Sequence, residues 1–446
     1  MSVTKELAAY LVAAQPSQIP AEVKREARRS LFNYLGCALG GCRDEAVEIA
    51  LRVLGPLSGP ASARVLGRQE RLDPMTAALI NGISSHVLDF DDTVAKNFIH
   101  PSSPVASALF AYAAAHRVSG QALAHAFTLG VEAQSRVGNA VYPWHYDAGW
   151  HITGTAGVIG AGVGIGLLLG LSAQQMVWTI GLSATQAAGL REMFGSMGKA
   201  FHPGRSAQSG YLAALLAQGG FTAGEYGIEG PRGFAHVTAA QCEIGRVTAD
   251  LGSHFELMDN TYKPFPCGIV IHPTIDACIQ IHREHRPPAA QIAAVALRVA
   301  PIVLDLCNKK QIATGLEGKF SVYHAAAVGL VRGKAGVGEF TDAIVNDPTI
   351  RQVRERVSAS ADPKLAEDAV VAEVTLVDGR RIVKEVLHAI GNVERPMSDR
   401  ELEEKFRDQA GEVIGPARMD EVVATCWKLE ELSDCRPLVE MLVARA

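Results

Sequence analysis

Between Ile152 and Leu190 the chain carries no Asp, Glu, Lys or Arg, and no other feature constrains its fold as strongly. A run this long without a charge has to leave water, either in a bilayer or in a protein core. Three observations argue against a bilayer span: the break at LSAQQ, where Ser172 and Gln175 make a capping box; the Gly, Thr, Ser and Gln content of both halves; and the lack of flanking positive charge. The run therefore predicts two buried helices packed closely together. Its GAGVGIG stretch, Gly160 to Gly166, imitates a dinucleotide loop. A G-x-G-x-x-G frame would need glycine where Ile165 stands and an acid some ~20 residues later, so no nucleotide site is expected.

With 446 residues, 48% hydrophobic and 20% charged, the chain can bury a large core in two or three domains. A net charge of −5 and a pI near 6.3 leave no basic field for nucleic acid or an anionic membrane, so any affinity for anions must be local. The eight cysteines, at 37, 42, 242, 267, 278, 307, 426 and 435, show no C-x-x-C spacing, and the Met1 end carries no basic-then-apolar leader. Reduced thiols in a cytoplasm are the expectation.

From Thr4 to about Tyr262 the pattern is almost wholly helical, with starts at Thr4 and Ala21 and helices around Pro74–Leu88, Ser102–His116 and Ser119–Val137. After Lys263 the texture changes. AAVALRVAPIV (Ala293 to Val303) alternates like a strand, and Val370 to Val386 reads as a hairpin turning at Asp378-Gly379. Helical patterning resumes at Glu401, capped by Ser398 or Asp399. The predicted fold is mainly α with a smaller α+β domain: residues 1–262 helical and rejoined by 400–446, and residues 263–399 forming the α+β unit.

The segment NGISSHVLDFDDTVAKNFIH, Asn81 to His100, crowds three carboxylates and two imidazoles into one stretch. Asp89, Asp91 and Asp92 would repel one another in a dry site, so at least one needs a cation, a strong donor or a proton. The bland alternative is a solvated helix end capped by acids. The D-x-D-x-T match of Asp89, Asp91 and Thr93 to aspartyl-phosphate phosphatases fails on context, because no apolar strand precedes it.

Four histidines stand beside Gly, Pro or Lys instead of on an apolar stripe: His100, His151, His202 (three residues after Lys199) and His272 (nine after Lys263). Three precede proline, which biases them away from helical backbone and toward segment ends. His116, His125, His282, His285 and His388 read as surface or boundary residues. No H-x-x-x-H or H-E-x-x-H pair exists, so no metal is expected, although the oxygens of Asp89, Asp91 and Asp92 would suit Mg²⁺.

Together NGISSHVLDFDDT, HPSSP, GWHITGTAGVIGAG, GSMGKAFHPGRSAQSGYLAALLAQGGFTA, KPFPCGIVIHPTIDA and KFSVYHAA resemble the MmgE/PrpD family, which includes 2-methylcitrate dehydratase, cis-aconitate decarboxylase and iminodisuccinate epimerase. The resemblance implies a helical domain built from both chain ends, a lid-like α+β domain and a homodimer. It places Asp89, Thr93, His100, His151, Lys199 and His272 around one pocket, with His202 and Lys263 nearby. The interval from Thr93 to His100 is a residue longer than in the decarboxylases of that family, which predicts a bulge or a displaced His100.

What the resemblance implies chemically is a cofactor-independent lyase for small di- or tricarboxylates. Lys199, Lys263 and histidines supply local positive charge for the carboxylates. The expected reaction is elimination of water from a β-hydroxy tricarboxylate of the 2-methylcitrate type. Lys199 and His272 would hold carboxylates, His151 or His100 would take the proton next to one of them, and the other, oriented by Asp89, would protonate the departing hydroxyl. Decarboxylation of cis-aconitate and epimerisation would use the same groups, and a non-catalytic dimeric binding protein on the same scaffold remains a different class.

Overall fold

The computed structural model describes residues 2–443. It is mainly helical, with a smaller α+β part. Six long helices, Ala21–Gly41, Pro74–His86, Ser102–Ala115, Gly120–Val141, Ile152–Leu168 and Gly198–Gln218, pack around one another to form the larger part. The charge-free run becomes the helices Ile152–Leu168 and Ala173–Ala184, with Ser172 and Gln175 forming the expected capping box. The first is covered by the Ser102–Ala115, Gly120–Val141 and Gly198–Gln218 helices, so it has no solvent face and no use for a charge. Among the described residues no helix is long and apolar enough to cross a membrane.

The Pro74–His86 and Gly198–Gln218 helices cross where Gly82 meets Gly204, and a Cβ on Gly204 would lie 2.4 Å from the Leu79 carbonyl oxygen. That approach brings the end of one helix, at His86, beside the start of the other, at Lys199 and His202. His202 is a correction to the sequence reading: it lies inside a helix although Pro203 follows it. Proline forfeits one backbone bond there, and packing of this helix on two neighbours outweighs the local preference. His100 and His272 do sit at segment ends, His272 as the first residue of the His272–His285 helix.

The smaller part is a four-stranded sheet in the order Val357–Ala361, Ile292–Val299, Val370–Leu376, Arg381–Val386. The last two strands are the expected hairpin, turning through Gly379 at φ +84°. The alternating stretch ends earlier than expected, because Pro301 opens the helix Pro301–Cys307. Val357–Ala361 was not expected, since VSASA holds too little apolar surface to signal a strand; it pairs in parallel with Ile292–Val299 at the sheet edge. The His272–His285 helix packs on the hairpin and beside Val322–Arg332.

Ser398 caps the helix Asp399–Ile414, which lies along Ala21–Gly41. Phe32 stacks between Phe406 and Trp427 at centroid distances of 4.6 and 4.7 Å. The C-terminal helices therefore pack directly on the N-terminal ones.

Candidate active site

The segment after His86 leaves the helix through Asp89, whose φ of +53° is left-handed, a region Asp tolerates better than most residues. The carbonyls of this turn are held by lysines from three distant segments. Lys319 Nζ donates to Val87 O and Leu88 O, at 3.3 and 2.6 Å, and Lys405 Nζ to Phe90 O at 2.6 Å. Lys263 Nζ donates to Asp89 O at 3.2 Å and to Cys267 O at 3.0 Å. Buried carbonyls need donors, and here each donor also brings charge.

The three neighbouring aspartates are all buried, and each has a different kind of partner. Asp89 Oδ1 accepts from both Lys199 Nζ and Lys263 Nζ at 2.7 Å, while its Oδ2 has no donor among the described residues. Burial pushes the Asp89 carboxyl up, but Lys199 and Lys263 overcome it and hold it well below the usual range. Asp91 faces imidazoles, Oδ2 lying 2.7 Å from His86 Nδ1 and Oδ1 3.3 Å from His100 Nδ1. Asp92 accepts from the Ser102 hydroxyl and backbone N–H and from Asn260 Nδ2, and burial with the Asp91 charge pushes it up to about 7. Asp92 thus anchors the turn to the start of the Ser102–Ala115 helix.

Between Thr93 and His100 the chain makes a tight turn. Val94 N–H donates to Ile99 O at 2.8 Å, Phe98 N–H returns to Val94 O at 2.9 Å, and Phe98 itself is left-handed at φ +60°. His100 still reaches the site, its backbone N–H on Thr153 Oγ1 at 3.0 Å and its Nδ1 3.2 Å from Thr93 Oγ1.

A cavity of about 40 Å³ lies against this turn, walled by Asp89, Thr93, His100, His151, Lys199 and Lys263 on its polar side. The structure thus brings six of the eight expected site residues together. The apolar side consists of Phe98, Tyr146, Phe194, Ile269, Val270, Leu306, Cys307 and Phe320. Lys199 Nζ sits 5.4 Å from the ring centres of both Phe194 and Phe320, a cation between two aromatic faces. His202 does not touch the cavity; its Nδ1 is 2.8 Å from Nδ1 of His151, which it backs.

His272 is also elsewhere. It lines an adjoining cavity of about 50 Å³ with Glu367 and Asp368, and the two cavities share walls made by Phe98, Lys263, Ile269 and Val270. Its Nε2 is 3.4 Å from Cys267 O, the carbonyl that Lys263 also binds. A second correction concerns Asp89, whose carboxylate makes no hydrogen bond to an imidazole among the described residues: Asp91 is the carboxylate beside His100.

Burial pushes His100 and His272 down to about 3 and His202 to about 4. Burial and the Lys199 charge take His151 well below the ordinary imidazole range. The imidazoles at the cavity are therefore neutral near pH 7, while burial also lowers Lys199 against the pull of Asp89. Two buried groups, His86–His100–His151 and Asp89–Asp91–His100, bring their ligand atoms within 4.8 Å of one another and could hold a metal ion. The polar wall can pair with an anion, offer uncharged nitrogens for proton transfer, and accept one hydrogen bond at Asp89 Oδ2.

Residues 5–246 match the family model of the MmgE/PrpD N-terminal domain and residues 265–429 that of the MmgE/PrpD C-terminal domain. The chain belongs to the MmgE/PrpD family. Its similarity to cis-aconitate decarboxylase of Aspergillus terreus is 25% identity over 469 residues, 99% of this chain and 96% of the relative. To cis-aconitate decarboxylase of Homo sapiens it is 26% over 460 residues, 99% and 94%. To 2-methylcitrate dehydratase of Cupriavidus necator it is 25% over 450 residues, 89% and 88%. These MmgE/PrpD relatives are lyases, and both activities recur at about the same identity.

Sequence reasoning missed His86 and Asp91 as partners of His100, the structural part of Lys319 and Lys405, and the aromatic wall. Asp91 lay in the segment singled out, but chain spacing does not say which way a turn directs each carboxylate. Tyr146, Phe194 and Phe320 come from three separate segments with no shared periodicity, so nothing local marked them.

Proposed function

We propose that this MmgE/PrpD protein is a metal-independent lyase that removes water from a β-hydroxy tricarboxylate of the 2-methylcitrate type. The observation that carries this reading is the pair of ammonium groups, Lys199 and Lys263, sharing one oxygen of Asp89 at the cavity wall. Two cations on one carboxylate leave an excess of positive charge for a substrate carboxylate, in a protein whose net charge is −5. Asp89 Oδ2, without a donor of its own, suits a substrate hydroxyl. His100 and His151 then lie on the wall with ring centres 6.3 Å apart, one to take the proton next to the carboxylate and one to protonate the departing oxygen.

A cavity of about 40 Å³ has room for roughly three waters. Substrate entry in this reading widens it toward the adjoining cavity, where His272 and Lys263 meet a second carboxylate. Decarboxylation of a cis-aconitate-type substrate is the second reading. It is supported by the apolar wall, which suits loss of a charged group as CO₂, and by the longer alignments with the decarboxylases. We also propose a homodimer in a reducing cytoplasm. All eight cysteines are free, and exposed Tyr226 and Val237 line a groove with Trp150 and Phe234 that could meet a second copy; light scattering of the purified protein tests the assembly.

The deciding experiment is NMR in deuterated buffer with 2-methylcitrate, citrate, cis-aconitate and iminodisuccinate supplied separately to chelator-treated protein. An alkene formed with loss of the hydroxyl supports the dehydratase, itaconate the decarboxylase, and deuterium at a retained stereocentre an epimerase. Silence on all four, with and without added Mg²⁺, would discard the reading in favour of another substrate or a binding role.

A further inference from the structure

Tyr146 is the exception on the apolar side of the Asp89 cavity. The other side chains there are hydrocarbon, apart from Cys307, whose thiol burial pushes up to about 12 and which donates only weakly. Tyr146 is 4% exposed, and its hydroxyl has no hydrogen-bond partner among the described residues. It is not one of the sealed, unpaired polar atoms either, so the oxygen keeps an open surface at the cavity wall. A phenylalanine would fill the same place without the cost of a donor taken from water and given no acceptor.

The ring is held in place by its neighbours. Arg191 Cζ lies 4.1 Å from its centre, Arg191 Nη1 donates to Tyr146 O at 2.8 Å, and the Phe98 ring is 5.2 Å away. Arg191 also donates its backbone N–H to Gly149 O at 2.8 Å, two residues before His151, so one segment carries both this hydroxyl and part of the polar wall. Burial pushes the phenol above its ordinary value against the pull of Arg191, with Asp89 adding to the push. The group is therefore an uncharged donor at any working pH.

Three carboxylates need three places. The ammonium pair at Asp89 suits the first, and the adjoining cavity with His272 suits the second. We infer that the Tyr146 hydroxyl donates to a third carboxylate and so makes Tyr146 the residue that favours tricarboxylates over dicarboxylates, a role that rests on the polycarboxylate reading above. No covalent bond is made or broken by Tyr146 in this role. A site built to donate to a ligand oxygen penalises the ligand that lacks it, because the buried donor is then left unpaired.

Tricarballylate and glutarate test it, because they differ by one carboxylate and neither carries a hydroxyl to lose. In calorimetry the unmodified protein should bind tricarballylate roughly tenfold or more tightly than glutarate. Tyr146→Phe removes only the unpaired oxygen, so its melting temperature should not fall. Its affinity for tricarballylate should drop roughly 10- to 100-fold while that for glutarate stays within about twofold. In ¹³C-tyrosine NMR the Cζ resonance missing from Tyr146→Phe should move when tricarballylate is added to the unmodified protein and stay in place with glutarate. Equal affinity of the two proteins for tricarballylate, or a parallel loss of both ligands, overturns the inference and leaves the polycarboxylate reading standing. A lower melting temperature in the variant also overturns it, by showing that the hydroxyl is bonded within the protein. If the unmodified protein binds neither ligand, the polycarboxylate reading falls and takes this role with it.

Discussion

Lys199 and Lys263, one from the start of a long helix and the other from the segment after Asn260–Thr261, donate to the same oxygen of Asp89 across 2.7 Å each. Lys199→Ala leaves Asp89 paired with Lys263, so the fold should survive. A donor aimed at developing charge contributes about 3–4 kcal/mol to a barrier. Turnover of the identified substrate should fall roughly 10²- to 10³-fold with an unchanged circular-dichroism spectrum, and full activity would remove this cavity from consideration.

Acid should unfold the protein earlier than its carboxylates alone require. Burial pushes His100 and His272 down to about 3, and His145 and His324 to about 4, against about 6.5 in an unfolded chain. Below about 6.5 the unfolded chain binds protons that the folded one refuses. The stability these groups contribute is complete above that pH and is lost as the pH falls toward 4 and then 3, by up to ~1.4 kcal/mol per unit for each. The melting temperature should drop steadily from pH 7 to pH 5; a flat profile would mean that these imidazoles are charged in the fold.

Gly204→Ala touches nothing in the cavity, yet its Cβ would meet the Leu79 carbonyl at 2.4 Å and push apart the helices carrying His86 and Lys199. A stability loss of about 1–3 kcal/mol in urea unfolding should accompany reduced turnover, because His86, Lys199 and His202 keep their spacing through that crossing. An unaffected variant would show that the helices slide freely there.

How much of this was legible in the sequence depends on whether the cause was local. The Ser172–Gln175 cap, the turn at Gly379 and the pair of packed helices follow from neighbouring residues, and each stands where the pattern put it, although the second helix is only half-buried. Asn81–His100 was marked as chemical by its crowding, and six of the eight singled-out residues line one cavity. The errors are tertiary. Pro203 could not end a helix that its neighbours hold, and Asp89, expected to orient a histidine, pairs with two lysines while Asp91 stands beside His100. The distant Lys319 and Lys405 satisfy carbonyls, and carbonyls have no signature in a sequence.

Lys405→Met should cost about 2–5 kcal/mol, since Lys405 Nζ donates to Asn33 Oδ1, Phe90 O and Lys263 O at 2.8, 2.6 and 2.8 Å, and all three acceptors are buried. Unfolding in urea measures it, and a loss under about 1 kcal/mol would mean that water replaces the ammonium.

The same lysine sets a timetable for biosynthesis. Asp89 leaves the ribosome long before Lys405, which helps to brace its turn. At ordinary elongation rates the interval is on the order of tens of seconds. Through that time the nascent chain carries a highly charged turn without its Lys405 brace, on a helical scaffold that still lacks the Asp399–Ile414 helix. A stop codon between Phe320 and that helix would release a polypeptide with every side chain lining the Asp89 cavity present but without the ammonium that holds Phe90 O.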